Sequence, residues 1–217
     1  MLDADRGLVV HRRFTRHGRE GRTIDAQTVV EIVASLRDYG VPLFITGGWA
    51  VDAVLERTTR DHADLDLLVP EECSIRALAC LSALDFAEVR DQEARRTVVA
   101  RTGSEEVDLL FAEFAADTSV TWADPGGRMQ AFPPDFFGTG VVAGQIVPCL
   151  SPRGSVAFIE AHVGPLGIRT RDMKTCRTLC RKFGLPLPKA FTRRARARVK
   201  IGRVRRKLRR ARRTSDG

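Results

Sequence analysis

Gly47-Gly48-Trp49-Ala50-Val51-Asp52, Thr59-Arg60-Asp61-His62 and Asp64-Leu65-Asp66-Leu67-Leu68-Val69 follow one another closely in the chain. The short apolar run Leu43–Thr46 stops at the glycine pair, which predicts a strand, a turn and then a short helix over Trp49–Leu55. Backbone N–H groups at such a helix N-terminus can receive a triphosphate. In Asp64–Val69 polar and apolar residues alternate before Pro70, which predicts a strand with one buried and one functional face. Residues i and i+2 of a strand point to the same side, roughly 6.5 to 7 Å apart. Two carboxylates so placed repel each other unless cations sit between them, and hard oxygen ligands suit Mg²⁺.

A third carboxylate, Asp108, interrupts the apolar run Val107-Asp108-Leu109-Leu110-Phe111. A strand with buried character seldom carries a charge without a chemical reason. Three aspartates on adjacent strands can hold two Mg²⁺ ions roughly 3.5 to 4 Å apart, the arrangement used for in-line displacement at phosphorus. Asp64, Asp66 and Asp108 are therefore the candidate catalytic and metal-binding residues. Asp-x-Asp by itself is common on solvent-facing strands, and Gly-Gly by itself is commonly just a turn. Their conjunction with a helix favours the functional reading.

Working outward, Asp25 can cap a helix in which Val29, Ile32, Val33 and Leu36 form one buried stripe. Residues 71–84 predict a helix with Ile75, Leu78 and Leu81 inward. Thr97–Arg101 and Glu106–Phe111 predict two strands around a hairpin turn at Thr102–Glu105. Residues 112–147, broken by Gly, Pro and aromatics (Trp122, Phe132, Phe136, Phe137), read as a long connection that shapes the acceptor site. Ser151 caps a further helix that has Pro152 in its first position. A last helix spans Thr170–Phe183. Trp49 reads as core packing, Asp52 is open between the site and a local cap, and His162 reads as structural.

The combined signature resembles the aminoglycoside 2''-nucleotidyltransferases and lincosamide nucleotidyltransferases of the DNA polymerase beta superfamily. Val147-Pro148-Cys149-Leu150-Ser151-Pro152 and Arg169-Thr170-Arg171-Asp172 are similar to later segments of that family, so the resemblance spans about residues 26 to 183. It implies an α+β fold, a polymerase beta-like mixed β-sheet flanked by helices, and a Mg²⁺-bound NTP, with ATP favoured. It further implies that Asp64 and Asp66 bind metal, and that Asp108 ligates metal or acts as base on the acceptor hydroxyl. Gly47, Gly48, Arg60 and His62 would lie near the nucleotide, and Arg169, Arg171 and Lys174 would meet the triphosphate. The family usually has Gly where this chain has Glu56, a departure that loosens the turn before Thr59.

The implied reaction is transfer of an NMP, with AMP favoured, onto a hydroxyl of a small-molecule acceptor. The alternatives are a nucleotidyltransferase acting on protein or RNA and a catalytically idle nucleic-acid-binding relative.

Charge is unevenly placed. Thirteen of the 36 Lys and Arg lie in residues 193–213, leaving 23 bases against 26 acids in residues 1–192. The expected organisation is a flexible basic arm (1–24), a nucleotidyltransferase domain (25–190) and a basic tail (191–217), disordered or induced-helical. The tail lacks the interleaved aromatics that stack single strands, so any nucleic-acid contact through 193–213 would be nonspecific and salt-dependent. The five cysteines (Cys73, Cys80, Cys149, Cys176, Cys180) lack a CxxC spacing and read as reduced, buried thiols of a cytoplasmic protein. No stretch approaches the ~20 apolar residues needed to span a bilayer.

Overall fold

The computed structural model of the protein describes residues 23–91, 96–101, 105–123, 127–166 and 169–192. The arm (1–22) and the tail (193–217), with its expected nucleic-acid contacts, lie outside the described residues.

The first helix, α1 (Ala26–Asp38), begins where Asp25 accepts a 2.7 Å hydrogen bond from the Thr28 N–H. Its Val29, Ile32, Val33 and Leu36 are buried, each adding about 1.5–3 kcal/mol of burial. A two-residue strand, β1 (Phe44–Ile45), leads into α2 (Gly47–Leu55). Then come β2 (Asp64–Pro70), a 3₁₀ turn and α3 (Ser74–Ala83). Ile75 is 82% exposed, contrary to its expected inward position. The helix begins only at Ser74, and the face it buries is that of Ala77, Cys80 and Leu81.

Strands β3 (Phe86–Asp91), β4 (Arg96–Arg101) and β5 (Glu106–Phe114) follow, of which β3 was not foreseen. Residues 112–147 do not form a long connection. They hold the end of β5, then β6 (Val120–Ala123), β7 (Met129–Phe132), β8 (Phe137–Val142) and the start of β9 (Gln145–Leu150). Two helices close the body: α4 (Pro152–Leu166), whose Gly154 N–H donates to the Ser151 hydroxyl, and α5 (Thr170–Phe183).

The main sheet runs β3-β4-β5-β2-β1-β9-β8, with β6 and β7 branching from β5. The pairs β2/β5 and β1/β9 are parallel and the others antiparallel, so the sheet is mixed. Helix α1 packs with α3, and α2 packs with α4 and α5. Ile24 and Phe191 are buried in the core, so the packed body reaches one residue past each edge of the expected 25–190 domain.

All five cysteines are free and buried. Burial pushes the thiols of Cys149 and Cys176 up to about 12. No helix among the described residues is long and apolar enough to cross a membrane.

Candidate active site

The β2/β5 ladder is parallel and unbroken, and its register sets Asp66 beside Asp108 and Asp64 beside Glu106. Because alternate residues of a strand share a face, these four carboxylates project from one side of the sheet. Asp108 is 5% exposed. Burial first, then the charges of Asp64 and Asp108, push the Asp66 carboxyl well above the usual carboxylate range, and Arg96 and Arg60 offset this only partly. Burial also raises Asp108; the Arg96 guanidinium pulls it back without cancelling the rise, and Asp64 and Glu106 add to it.

The glycine pair makes room for this arrangement. Gly47 takes φ +62°, and a Cβ there would sit 2.0 Å from Asp66 Oδ2, so only glycine lets the carboxylate approach the first turn of α2. A Cβ on Gly48 would meet the His62 ring at 2.2 Å and the Arg60 guanidinium at 2.8 Å. Arg60 thus lies over the N-terminus of α2, where four backbone N–H groups have no partner within the helix. Thr46, which precedes the helix, is tied to β2 by a 2.8 Å bond from its N–H to the Asp66 carbonyl.

His62, expected near the nucleotide, lies at the Gly48 turn, where a Cβ on that glycine would meet its ring. It is 2% exposed, its Nε2 is 2.7 Å from Asp52 Oδ2, and its ring packs on Trp49 at 4.8 Å. Its carbonyl accepts from the Ile24 N–H at 2.9 Å. The ring is therefore held against α2 through Asp52 and Trp49. Asp52 also accepts from the Thr59 N–H (3.1 Å) and hydroxyl (2.5 Å). Burial works against its charge, yet the bonds from His62 and Thr59 outweigh that and hold its pKa low.

At the start of α5, Arg169 Nε donates to Asp172 at 2.7 Å and Arg171 lies 3.8 Å from the same carboxylate. Burial and the charges of Arg169 and Arg60 lower the basicity of Arg171, while Asp172 and Asp64 oppose them. Lys174, a turn further along α5, is exposed, and no ion pair or hydrogen bond joins its ammonium to the carboxylates.

Sequence reading missed Arg96, whose guanidinium Nη2 donates to Asp108 Oδ2. A signal existed. The β4/β5 hairpin sets Val98 opposite Asp108, which puts Arg96, two residues earlier, on the same face. Glu106, set beside Asp64 by the parallel β2/β5 register, was missed as well. Trp122, expected at the acceptor site, is 3% exposed. It stacks on Phe158 at 5.0 Å and on His162 at 5.3 Å, as part of the core. His162 Nδ1 is bonded to the Phe158 carbonyl at 2.8 Å, which fits its structural reading.

Comparison with known proteins bears on this geometry. The family described as Aminoglycoside-2''-adenylyltransferase matches residues 28–176. A 2''-aminoglycoside nucleotidyltransferase of Escherichia coli is 28% identical over 166 residues, covering 75% of this chain and 89% of that protein. A lincosamide resistance protein of Staphylococcus haemolyticus is 21% identical over 122 residues, covering 56% of this chain and 76% of that protein. The solution structure of the antibiotic-resistance factor ANT(2'')-Ia shares the fold, with a TM-score of 0.63 at 24% identity, over 84% of this chain and 96% of that one. So does the lincomycin-bound lincosamide antibiotic adenylyltransferase LnuA, with a TM-score of 0.62 at 20% identity, over 73% of this chain and 98% of that one. The fold is thus that of the nucleotidyltransferases, and the chain belongs to the aminoglycoside-2''-adenylyltransferase family of nucleotidyltransferase enzymes.

Proposed function

We propose that this nucleotidyltransferase moves an adenylyl group from Mg²⁺–ATP to a hydroxyl of a small-molecule acceptor, through Asp64, Asp66 and Asp108. The observation that carries the reading is the in-register pairing of Asp66 with Asp108 beside the glycine-lined N-terminus of α2. ATP and a small acceptor are favoured by the activities of the relatives, which are adenylyltransferases and antibiotic-modifying enzymes.

The donor set fits divalent cations. Asp66 and Asp108 are hard oxygen ligands whose charges are penalised by burial and by neighbouring carboxylates, Asp64 for both, a penalty that a cation relieves. Among the described residues no three such side chains are gathered closely enough to hold a metal as they stand, and Arg96 sits on Asp108. Asp64 and Asp66 would therefore engage the cation first, with a second ion shared with Asp108. The metal would supply charge neutralisation at the phosphate oxygens.

The protein's own groups divide the remaining work. The α2 N-terminus, Arg60, Arg169 and Arg171 hold the triphosphate in line, and positioning of this kind provides most of the acceleration in such transfers. The acceptor oxygen bonds to the α-phosphorus, the bond from that phosphorus to the α–β bridging oxygen breaks, and pyrophosphate leaves. Asp108 takes the hydroxyl proton, and its raised pKa brings it nearer the working pH of a general base.

Calorimetry of Mg²⁺–ATP binding together with an α-labelled transfer assay tests the assignment. Asp66→Asn should weaken nucleotide binding and abolish turnover. Asp108→Asn should keep binding and lose transfer by ~10²–10⁴-fold. Equal loss of affinity in both would make Asp108 a metal ligand first, and full transfer activity in either variant would falsify the triad. GTP outperforming ATP would overturn the choice of base.

A further inference from the structure

We propose that the outer face of α5 docks the phosphate backbone of a double-helical nucleic acid, and that the basic tail continues this surface. The helix carries five cations and a single acid, Asp172. Asp172 is buried with Cys176, Leu179 and Cys180, and Arg169 and Arg171 are its partners. Arg171, Lys174, Arg177, Arg181 and Lys182 are all exposed. At 3.6 residues per turn, these five and the half-buried Thr175 and Thr178 share less than half of the helix circumference. That arc holds no acid and no apolar side chain.

Ordinary helix chemistry accounts for only part of the pattern. Arg181 and Lys182 suit the negative end of the α5 dipole, and the Lys182 ammonium donates to the Leu55 carbonyl at 3.3 Å. Arg171, in the first turn, has its place beside the triphosphate. Lys174 and Arg177 have neither role, and no ion pair joins them to an acid among the described residues. Arg171–Lys174, Lys174–Arg177 and Arg177–Arg181 are like-charge neighbours three or four residues apart, a spacing at which like charges weaken a helix. A polyanion laid along the face turns that repulsion into attraction.

The face leads into a cleft of about 350 Å³ at the ends of α2 and α5, lined by Leu55, Arg57, Thr178, Arg181 and Lys182. Three of these five are cations and none is an acid, so the cleft fits a phosphate group. The nearby acids lie to the side. Glu56, next to Arg57, is exposed but does not line the cleft, and Glu160 of α4 acts on Cys176, on the packed side of α5.

Length and composition select the occupant. The 14 residues of α5 span about 20 Å, or about six base pairs of a duplex, far more than one phosphate group needs. After one 3₁₀ turn, Lys189–Phe191, residues 193–213 add thirteen cations without an acid. The charge is local, since residues 1–192 hold 23 bases against 26 acids. Single strands are held by stacking on aromatics; the arc has none, and Phe191, the one aromatic after Phe183, is buried. A lipid surface takes up apolar or aromatic side chains, which the arc also lacks. A duplex backbone asks only for cations at the surface.

The test titrates the full chain into a labelled duplex RNA, the matching duplex DNA, a single strand of the same length and phosphatidylserine vesicles, over a series of salt concentrations. Arg177→Gln/Arg181→Gln is compared with Arg37→Gln/Arg153→Gln, which removes the same charge from exposed positions on α1 and α4. Circular dichroism checks the fold of each, and Arg177→Lys/Arg181→Lys restores the charge if the glutamine pair fails to fold. The wild type should bind a duplex more tightly than the single strand or the vesicles, and a preference for RNA or DNA names the source of the backbone. The α5 pair should lose about tenfold or more in affinity at about 0.1 M salt. Its slope of log K against log salt should fall by about two, one per lost phosphate contact. The lysine pair should keep the wild-type slope, and so should the control pair. Equal losses in the α5 and control pairs would reduce the effect to net charge, and an unchanged slope in the α5 pair would assign all binding to the tail. Either result overturns the proposal, as does tighter binding of the single strand or the vesicles, or no duplex binding at all.

Discussion

Asp52 lies in α2 and Asp66 against its first turn, and burial works against the charge of each, yet the two carboxyls end in opposite states. Asp52 accepts hydrogen bonds from the Thr59 N–H, the Thr59 hydroxyl and His62 and is held below its ordinary pKa. Asp66 faces Asp64 and Asp108 and is driven well above it. The cost of burial is common to both, so the partners decide the outcome. The Asp52 carboxylate finds its partners within the protein, while the other ring nitrogen of His62, Nδ1, is buried with no hydrogen-bond partner among the described residues. On the Asp66 face the carboxylates work against one another, which is why it is the proposed metal site.

Removing each carboxylate tests the contrast most severely. Asp52→Ala leaves His62 buried without its Nε2 partner and frees Thr59, so unfolding free energy should drop by about 3 kcal/mol or more, as for a buried pair robbed of one member. Asp66→Asn removes a repelled charge, and metal-free stability should hold or rise by about 1 kcal/mol while turnover is lost. Urea unfolding of the two variants reads both. Similar losses in each would erase the distinction between a structural and a functional aspartate.

Acid titration separates the same two regions in one experiment. A lowered carboxyl such as Asp52 stabilises above its unfolded pKa of ~3.9 and loses that contribution as pH falls through its folded value. A raised carboxyl has the opposite sign. Asp66 and Asp108 favour the fold when protonated, so their contribution is present below ~3.9 and is lost as pH rises through their folded values. Metal-free protein should therefore gain stability on going from neutral to mildly acid pH, then lose it below about pH 4. Asp66→Asn should flatten the upper limb and Asp52→Ala the lower one. A monotonic profile that neither substitution alters would contradict both signs.

The sequence exposed the two regions unequally, for physical reasons. The α1 stripe, the Asp25 cap, the α5 span and the Asp64-x-Asp66 face were legible because periodicity and capping are local. Asp108 was legible as a charge inside an apolar run. Arg96 and Glu106 were not found, since their roles come from strand pairing, which a composition scan does not see. The Asp52–His62 contact is not legible in the sequence, because it joins α2 to the segment before β2. Residues 112–147 were taken for a connection because their strands are short and rich in glycine, proline and aromatics, so no period-2 pattern lasts long enough to register. Phe191 was assigned to the tail, although it packs in the core. A cut that removes only the tail therefore belongs after Thr192.

The smallest expected effect lies at the hinge between the two regions. Glu56 caps the C-terminus of α2 in the left-handed conformation, with φ 56° and ψ 35°, where a Cβ costs roughly 1–2 kcal/mol. Its side chain is exposed and makes no hydrogen bond or ion pair among the described residues, so little there offsets that strain. Glycine at this position removes it, at the expense of a more flexible unfolded chain worth about 0.4–1 kcal/mol. Glu56→Gly should therefore gain about 0.5–1 kcal/mol net, a rise of about 1–4 °C in Tm for a chain of this size. The substitution touches the turn that leads to Thr59, on the Asp52 side, and leaves the β2/β5 carboxylates alone. Its kcat and Mg²⁺–ATP affinity should match the wild type. A changed nucleotide affinity would show that the turn before Thr59 and Arg60 is mechanically coupled to the site, and that the two regions are not separable.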